Sequence, residues 1–188
     1  MRYPVAGLAL AVSCALTAPF AVSAQTMSGS PATRPGAAAA DHLASADKSF
    51  LEDAAQGGNT EIAGSKMALE KSKNADVKAF ASQMIKDHTA VGEELAALAK
   101  SKGYTPPTEP SLMQKGELKA LDVTDDSFDS MYARRIGVAA HESTVKLFEK
   151  AAKDAKDPDI KAFAQKTLPA LQGHLEMAKA LQAKVTKK

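Results

Sequence analysis

The sequence predicts an all-α protein, a four-helix bundle of two antiparallel hairpins joined by a long crossover that carries a short helix. Three observations carry that prediction. Apolar residues recur three and four apart through four long stretches, the pattern of helices that bury one face. Two of the breaks between them are short, at Asn74 and at Asp157-Pro158. The third, Tyr104–Asp126, is a connection of about twenty residues, enough to travel the length of a bundle, whereas up-and-down neighbours need about two to eight. Finally, the second and fourth stretches open alike, Val77-Lys78-Ala79-Phe80-Ala81 and Ile160-Lys161-Ala162-Phe163-Ala164, so the two hairpins form a candidate internal repeat.

At 188 residues the chain has room for one modest domain and flanking tails. Residues 1–24 read as a secretory signal peptide: Arg2 gives a positive start, Val5–Val22 is apolar, and Val22-Ser23-Ala24 suits cleavage before Gln25. Retention of this run as a membrane anchor is the competing reading, and Pro19 with the small-residue site favours cleavage. The only cysteine, Cys14, lies inside it, so the mature chain would have no disulfide, thiolate metal site or thiol nucleophile. Arg2 is also the only charged residue among the first 24, and the remainder carries 23 basic against 22 acidic residues. That balance lacks the footprint of a nucleic-acid binder. Residues 25–45, rich in Ser, Gly, Pro and Ala, read as a disordered linker that includes His42.

The bundle is expected over 46–186, with helices at about 46–73, 75–102, 126–154 and 158–186 and the short helix at about 111–121. Ser45 or Asp47 is the expected cap of the first helix. Its stripe runs Leu51, Ala54, Gly58, Glu61/Ile62, Ser65 and Ala68/Leu69, and Gly57-Gly58 suggests close approach of a neighbouring helix. Asn74 caps the second helix, which ends at Gly103 ahead of Pro106-Pro107. The third carries Phe128, Met131/Tyr132, Arg135, Val138/Ala139, His141/Glu142, Val145 and Phe148 on its stripe. Asp157-Pro158 starts the fourth, where Pro169 is expected to introduce a kink.

Polar residues interrupt these stripes at one height. In each hairpin the first helix brings an acid, Glu61 or Glu142, and the second a histidine, His88 or His174. Counted outward from the turns, all four lie roughly 20–25 Å along their helices at about 1.5 Å per residue. His141 neighbours Glu142 but points about 100° away, so at most one of the two faces straight inward. Asp87, beside His88, is expected to face solvent.

Gln56-Gly57-Gly58-Asn59-Thr60-Glu61, Phe80–His88, Phe128-Asp129 with Tyr132, His141 and Pro169–Leu175 together resemble a family of exported bacterial proteins known as a domain of unknown function, often named "predicted outer membrane protein". The resemblance spans roughly Ser45–Val185 and implies a ferritin-like four-helix domain outside the cytoplasm. It implies no reaction. Nor does the chain carry a barrel-strand pattern. Ferritin-like di-iron sites need Glu-x-x-His on two helices, but Ile85 precedes His88 by three positions and Leu171 precedes His174 likewise.

The reading these residues favour is a non-catalytic, exported, periplasmic bundle, with Glu61–His88 and Glu142–His174 as hydrogen-bonded pairs fixing helix register. The bundle would bind another envelope protein, a small ligand or a second copy of itself, with no nucleic acid and no transmembrane helix in the mature chain. The alternative is a mononuclear site for one transition metal ion (Zn, Fe or Cu) among Glu61, His88, His141, Glu142 and His174. Met84–His88 and His174–Met177 are weaker thioether–imidazole pairs.

Overall fold

The structure is a computed structural model that describes residues 43–186; the expectations for the signal peptide, the linker and His42 lie outside the described residues. Those residues are all-α. Helix α1 (Ser45–Lys71) packs antiparallel on α2 (Ala75–Ser101), and α5 (Ala140–Asp154) packs antiparallel on α6 (Pro158–Val185). The crossover carries α3 (Leu112–Asp122), and α4 (Phe128–Tyr132) leads through a π-helical segment, Ala133–Ala139, into α5. Contacts of α1 with α5 and of α2 with α6 join the hairpins into a bundle. Among the described residues no helix is long and apolar enough to cross a membrane.

The helix ends follow local chemistry. The Asn74 side chain accepts from the Asp76 and Val77 N–H groups, and Asp157 accepts from those of Asp159 and Ile160 ahead of a helix that opens with Pro158. Gly103 ends α2 at φ 72°, a left-handed conformation that glycine adopts without a Cβ clash. Ser111 and Gln114 form a reciprocal capping box on α3. The start of α1 departs from expectation. Its N-cap is Ala44, and neither Ser45 nor Asp47 caps it. Asp47 is buried instead against the α5–α6 turn, where it accepts from the N–H groups of Lys156 (3.1 Å) and Asp157 (2.7 Å).

Glycine packing also differs from expectation. A Cβ at Gly57 would make only an ordinary contact with Thr144, and one at Gly58 would meet nothing within 4 Å. Close approach occurs at Gly64, where a Cβ would lie 2.9 Å from Ile136, and at Gly137, where it would lie 3.3 Å from Ala178 Cβ. Helix α6 continues through Pro169, which sits on its exposed face.

Two apolar clusters fill the bundle. One gathers Phe50, Leu51, Leu95, Phe148, Phe163 and Leu171; the other gathers Phe80, Met84, Phe128, Tyr132, Ile136 and Leu181. Helices α1, α2 and α6, and the run of α4, the π-helical segment and α5, each contribute to both and carry buried polar residues between the two contributions: Glu61 and Ser65 on α1, His88 on α2, His141 at the start of α5, and His174 on α6. The polar layer therefore lies between the two apolar halves of the core.

Candidate metal centre

His88, His141 and His174 converge in this layer. Their ring centroids stand 5.4 Å (His88–His141), 5.4 Å (His88–His174) and 5.6 Å (His141–His174) apart, close to an equilateral triangle. One ring nitrogen from each lies within 4.8 Å of the other two. All three rings are buried, with relative exposures of 3%, 0% and 7% in chain order. Glu61, at 1%, completes the group: its Oε2 is 2.5 Å from His88 Nε2 and 3.1 Å from His141 Nε2.

His141, His174 and Glu61 are each oriented by a partner outside the cluster, whereas the polar contacts of His88 are with Glu61 and His141. His141 Nδ1 donates to the carbonyl of Gly137 at 2.7 Å, with the Ile136 carbonyl at 3.4 Å. A carbonyl can only accept, so Nδ1 carries the proton and the Nε2 lone pair faces the layer. His174 Nε2 meets Asp87 Oδ2 at 2.9 Å, which leaves Nδ1 free; that nitrogen is buried and has no hydrogen-bond partner. Thr144 Oγ1 donates to Glu61 Oε1 at 3.2 Å, while Oε2 is turned to the Nε2 atoms of His88 and His141. An anionic oxygen and an imidazole lone pair at 3.1 Å repel each other unless a positive ion, proton or metal, stands with them. Carboxylate–histidine and carbonyl–histidine contacts are the outer partners that orient metal-ligating imidazoles.

The titration tendencies agree with this geometry. Burial alone would raise the Glu61 carboxyl, but the charges of His88 and His141, with hydrogen bonds from His88 and then Thr144, hold it below the ordinary value. Burial would lower His88, yet the Glu61 carboxylate and, more weakly, Asp87 raise it. His174 is lowered, chiefly by burial, against the raising pull of its Asp87 hydrogen bond, and the charges of His88 and His141 lower it further. Tyr132, whose hydroxyl meets Ser65 Oγ at 2.8 Å, is pushed by burial well above the ordinary phenol range.

Of the five residues the sequence singled out, the layer brings together Glu61, His88, His141 and His174. Glu142 is exposed and takes no part, and the expected Glu142–His174 pair is replaced by Asp87–His174. Asp87, expected to face solvent, is half-buried with its carboxylate turned across to α6. Arg135 and Ala139, placed on the stripe by a regular helix, are exposed. The cause is the π-helical segment. Its wider turns bury Tyr132/Ala133, Ile136/Gly137 and then His141, after which ordinary spacing buries Val145 and Phe148. Met84 is core filler beside Phe80, and Met177 is exposed. Thr144 escaped notice although it lies three residues after His141 and so shares its face.

Residues 32–181 match the family model DUF4142, described as "Domain of unknown function (DUF4142)". Comparison with curated proteins gives no match. Among solved structures, a DUF305 fragment from Deinococcus radiodurans superposes with a TM-score of 0.66 at 14% identity, covering 76% of this chain and 98% of the other. CopM is similar in its Cu(II)-bound form (TM-score 0.62, 17% identity, 73% and 96% covered) and its Cu(I)-bound form (0.63, 19%, 73% and 96%). At these identities the likeness is one of fold.

Proposed function

As the chain belongs to the DUF4142 family, a domain of unknown function, its chemistry has to come from its own residues, and we propose that it binds one transition-metal ion, copper by preference, at His88, His141 and His174 with Glu61 beside them. One observation carries the reading: buried imidazole nitrogens and a carboxylate oxygen converge while His174 Nδ1 lacks a hydrogen-bond partner. Buried polar atoms are ordinarily paired, and a cation among these atoms supplies the missing partner. The donor set narrows the metal. Imidazole suits Zn, Cu, Fe and Ni, while a single carboxylate is too few oxygens for a di-iron, Mg or Ca site. The fold shared with CopM, which is known in Cu(II)- and Cu(I)-bound forms, favours copper within that group.

In this reading Asp87 and the Gly137 carbonyl fix the outward ring nitrogens, so that His174 Nδ1 and His141 Nε2 present lone pairs inward. Glu61 offsets the charge of the ion, and Thr144 holds the other carboxylate oxygen. The role is holding a metal rather than turnover, carried out beyond the cytoplasm if residues 1–24 direct export. Protein purified without affinity tag or chelator tests the proposal by elemental analysis. About one copper per chain, nitrogen hyperfine splitting in the Cu(II) electron paramagnetic resonance spectrum, and loss of both in His174→Ala are expected. Metal-free protein whose melting does not respond to Cu(II), Zn(II) or Fe(II) overturns it.

A further inference from the structure

The metal reading leaves a second feature unused. A cleft of about 550 Å³ opens between α1 and α2, with Tyr104–Thr108 of the crossover along one side. Ile62, Val91, Leu95, Phe148 and Leu171 give it apolar walls, and it reaches His88 and Thr144. Two glycines line it on its two helical walls, Gly58 on α1 and Gly92 on α2. A Cβ at either would meet no atom within 4 Å. A glycine inside a helix costs about 1 kcal/mol against alanine. Gly64 and Gly137 repay that through close helix contact, but Gly58 and Gly92 do not. What these two leave behind is free volume in the same cleft.

The volume and lining suit an organic molecule better than an ion. Small-molecule sites are concave, mostly apolar, and commonly about 300–1,000 Å³, with a few polar groups that orient the ligand. Apart from His88, the charged residues of the lining are Glu93 and Lys100, of opposite sign, so the cleft has no net charge to select an ion. Tyr104, Pro106, Pro107 and Phe148 bring four rings to its lining, a surface suited to a planar apolar body. Thr144 spends its hydroxyl proton on Glu61 and so can still accept a hydrogen bond.

We propose that this cleft binds a small, neutral, phenol-like aromatic molecule, its apolar body between α1 and α2 and its donor group turned toward Thr144 and His88. The cleft adjoins the metal layer at His88 and Thr144 but does not depend on a bound metal, and His174 lies outside its lining. N-phenyl-1-naphthylamine, an aromatic amine with one N–H donor, serves as the fluorescent probe, titrated into the chelator-treated full chain. A saturable rise with one probe per chain is expected. Gly58→Leu and Gly92→Leu, two independent ways of filling the cleft, should each weaken it by at least about tenfold while melting no lower than wild type. His174→Ala should bind the probe as wild type does, even as it loses metal. Absence of saturable binding, or leucine variants that bind like wild type, overturns the proposal.

Discussion

Replacing Asp87 with alanine separates a histidine cluster held for a metal from one held only for packing. Asp87 Oδ2 accepts from His174 Nε2 at 2.9 Å and from Gln83 Nε2 at 2.6 Å, so one carboxylate both fixes the His174 tautomer and is itself braced. Its side chain is 30% exposed, where ion pairs are screened, so removing it should cost the fold less than about 1 kcal/mol. Its effect on the metal should be larger. Without the carboxylate, His174 can hold its proton on either nitrogen and its ring loses orientation. Losing such an outer partner typically costs about 10–100-fold in metal affinity, or about 1.4–2.7 kcal/mol. The assay is competition for Cu(I) and Cu(II) against a chromophoric chelator, run beside thermal melting of the metal-free proteins. Asp87→Asn, whose amide oxygen can still accept from Nε2–H, should fall between alanine and wild type. Unchanged affinity in Asp87→Ala, or a loss that merely tracks loss of folded protein, refutes the reasoning.

Other consequences are equally measurable. Asp47→Ala strands the backbone N–H groups of Lys156 and Asp157, and urea unfolding should show a loss of about 2–4 kcal/mol, the range tempered by the exposure of Lys156. Alanine should act oppositely at two glycines of α1. Gly64→Ala presses on Ile136 and costs about 1–2 kcal/mol net, while Gly58→Ala meets open space and gains up to about 1 kcal/mol; equal signs in thermal melting would contradict both contacts. Acid stability follows from His174, whose folded pKa is lowered chiefly by burial, so the unfolded chain takes up that proton first. The metal-free protein should therefore lose a His174 contribution as pH falls from above about 6.5 toward the folded value. His88, raised by Glu61 against its burial, works the other way: its contribution is full below about 6.5 and fades as pH rises through its folded value. Melting curves of wild type and His174→Gln from about pH 8 to pH 5 should show the shallower acid loss in the variant, and parallel curves would refute the assignment.

The helical pattern was legible because apolar spacing, caps and breakers pointed the same way: Asn74, Gly103 and Asp157-Pro158 each act through a local hydrogen bond or dihedral that their own side chain decides. Glu61, His88 and His174 were legible because each interrupts an apolar stripe at a similar distance from its turn. Three features were not, for separate reasons. Asp87 lies off the stripe of its own helix, and only the position of α6 beside α2 gives it a histidine to hold. Asp47 resembles a helix cap until the α5–α6 turn is brought onto it, an encounter between residues more than a hundred positions apart. The choice between His141 and Glu142 depended on a π-helical segment, which spacing rules built on 3.6 residues per turn cannot anticipate.

That segment also limits how the site can be transplanted. Ala133–Ala139 shifts everything after it relative to everything before, and the Gly137 carbonyl that holds His141 belongs to the same seven residues. Copying Glu61 and the three histidines onto a straight-helix scaffold would turn the third imidazole away from the others and strip it of its acceptor. The transferable unit is the four side chains together with the irregular stretch of helix, and deleting one residue within that stretch should dismantle the cluster without altering any of its ligands.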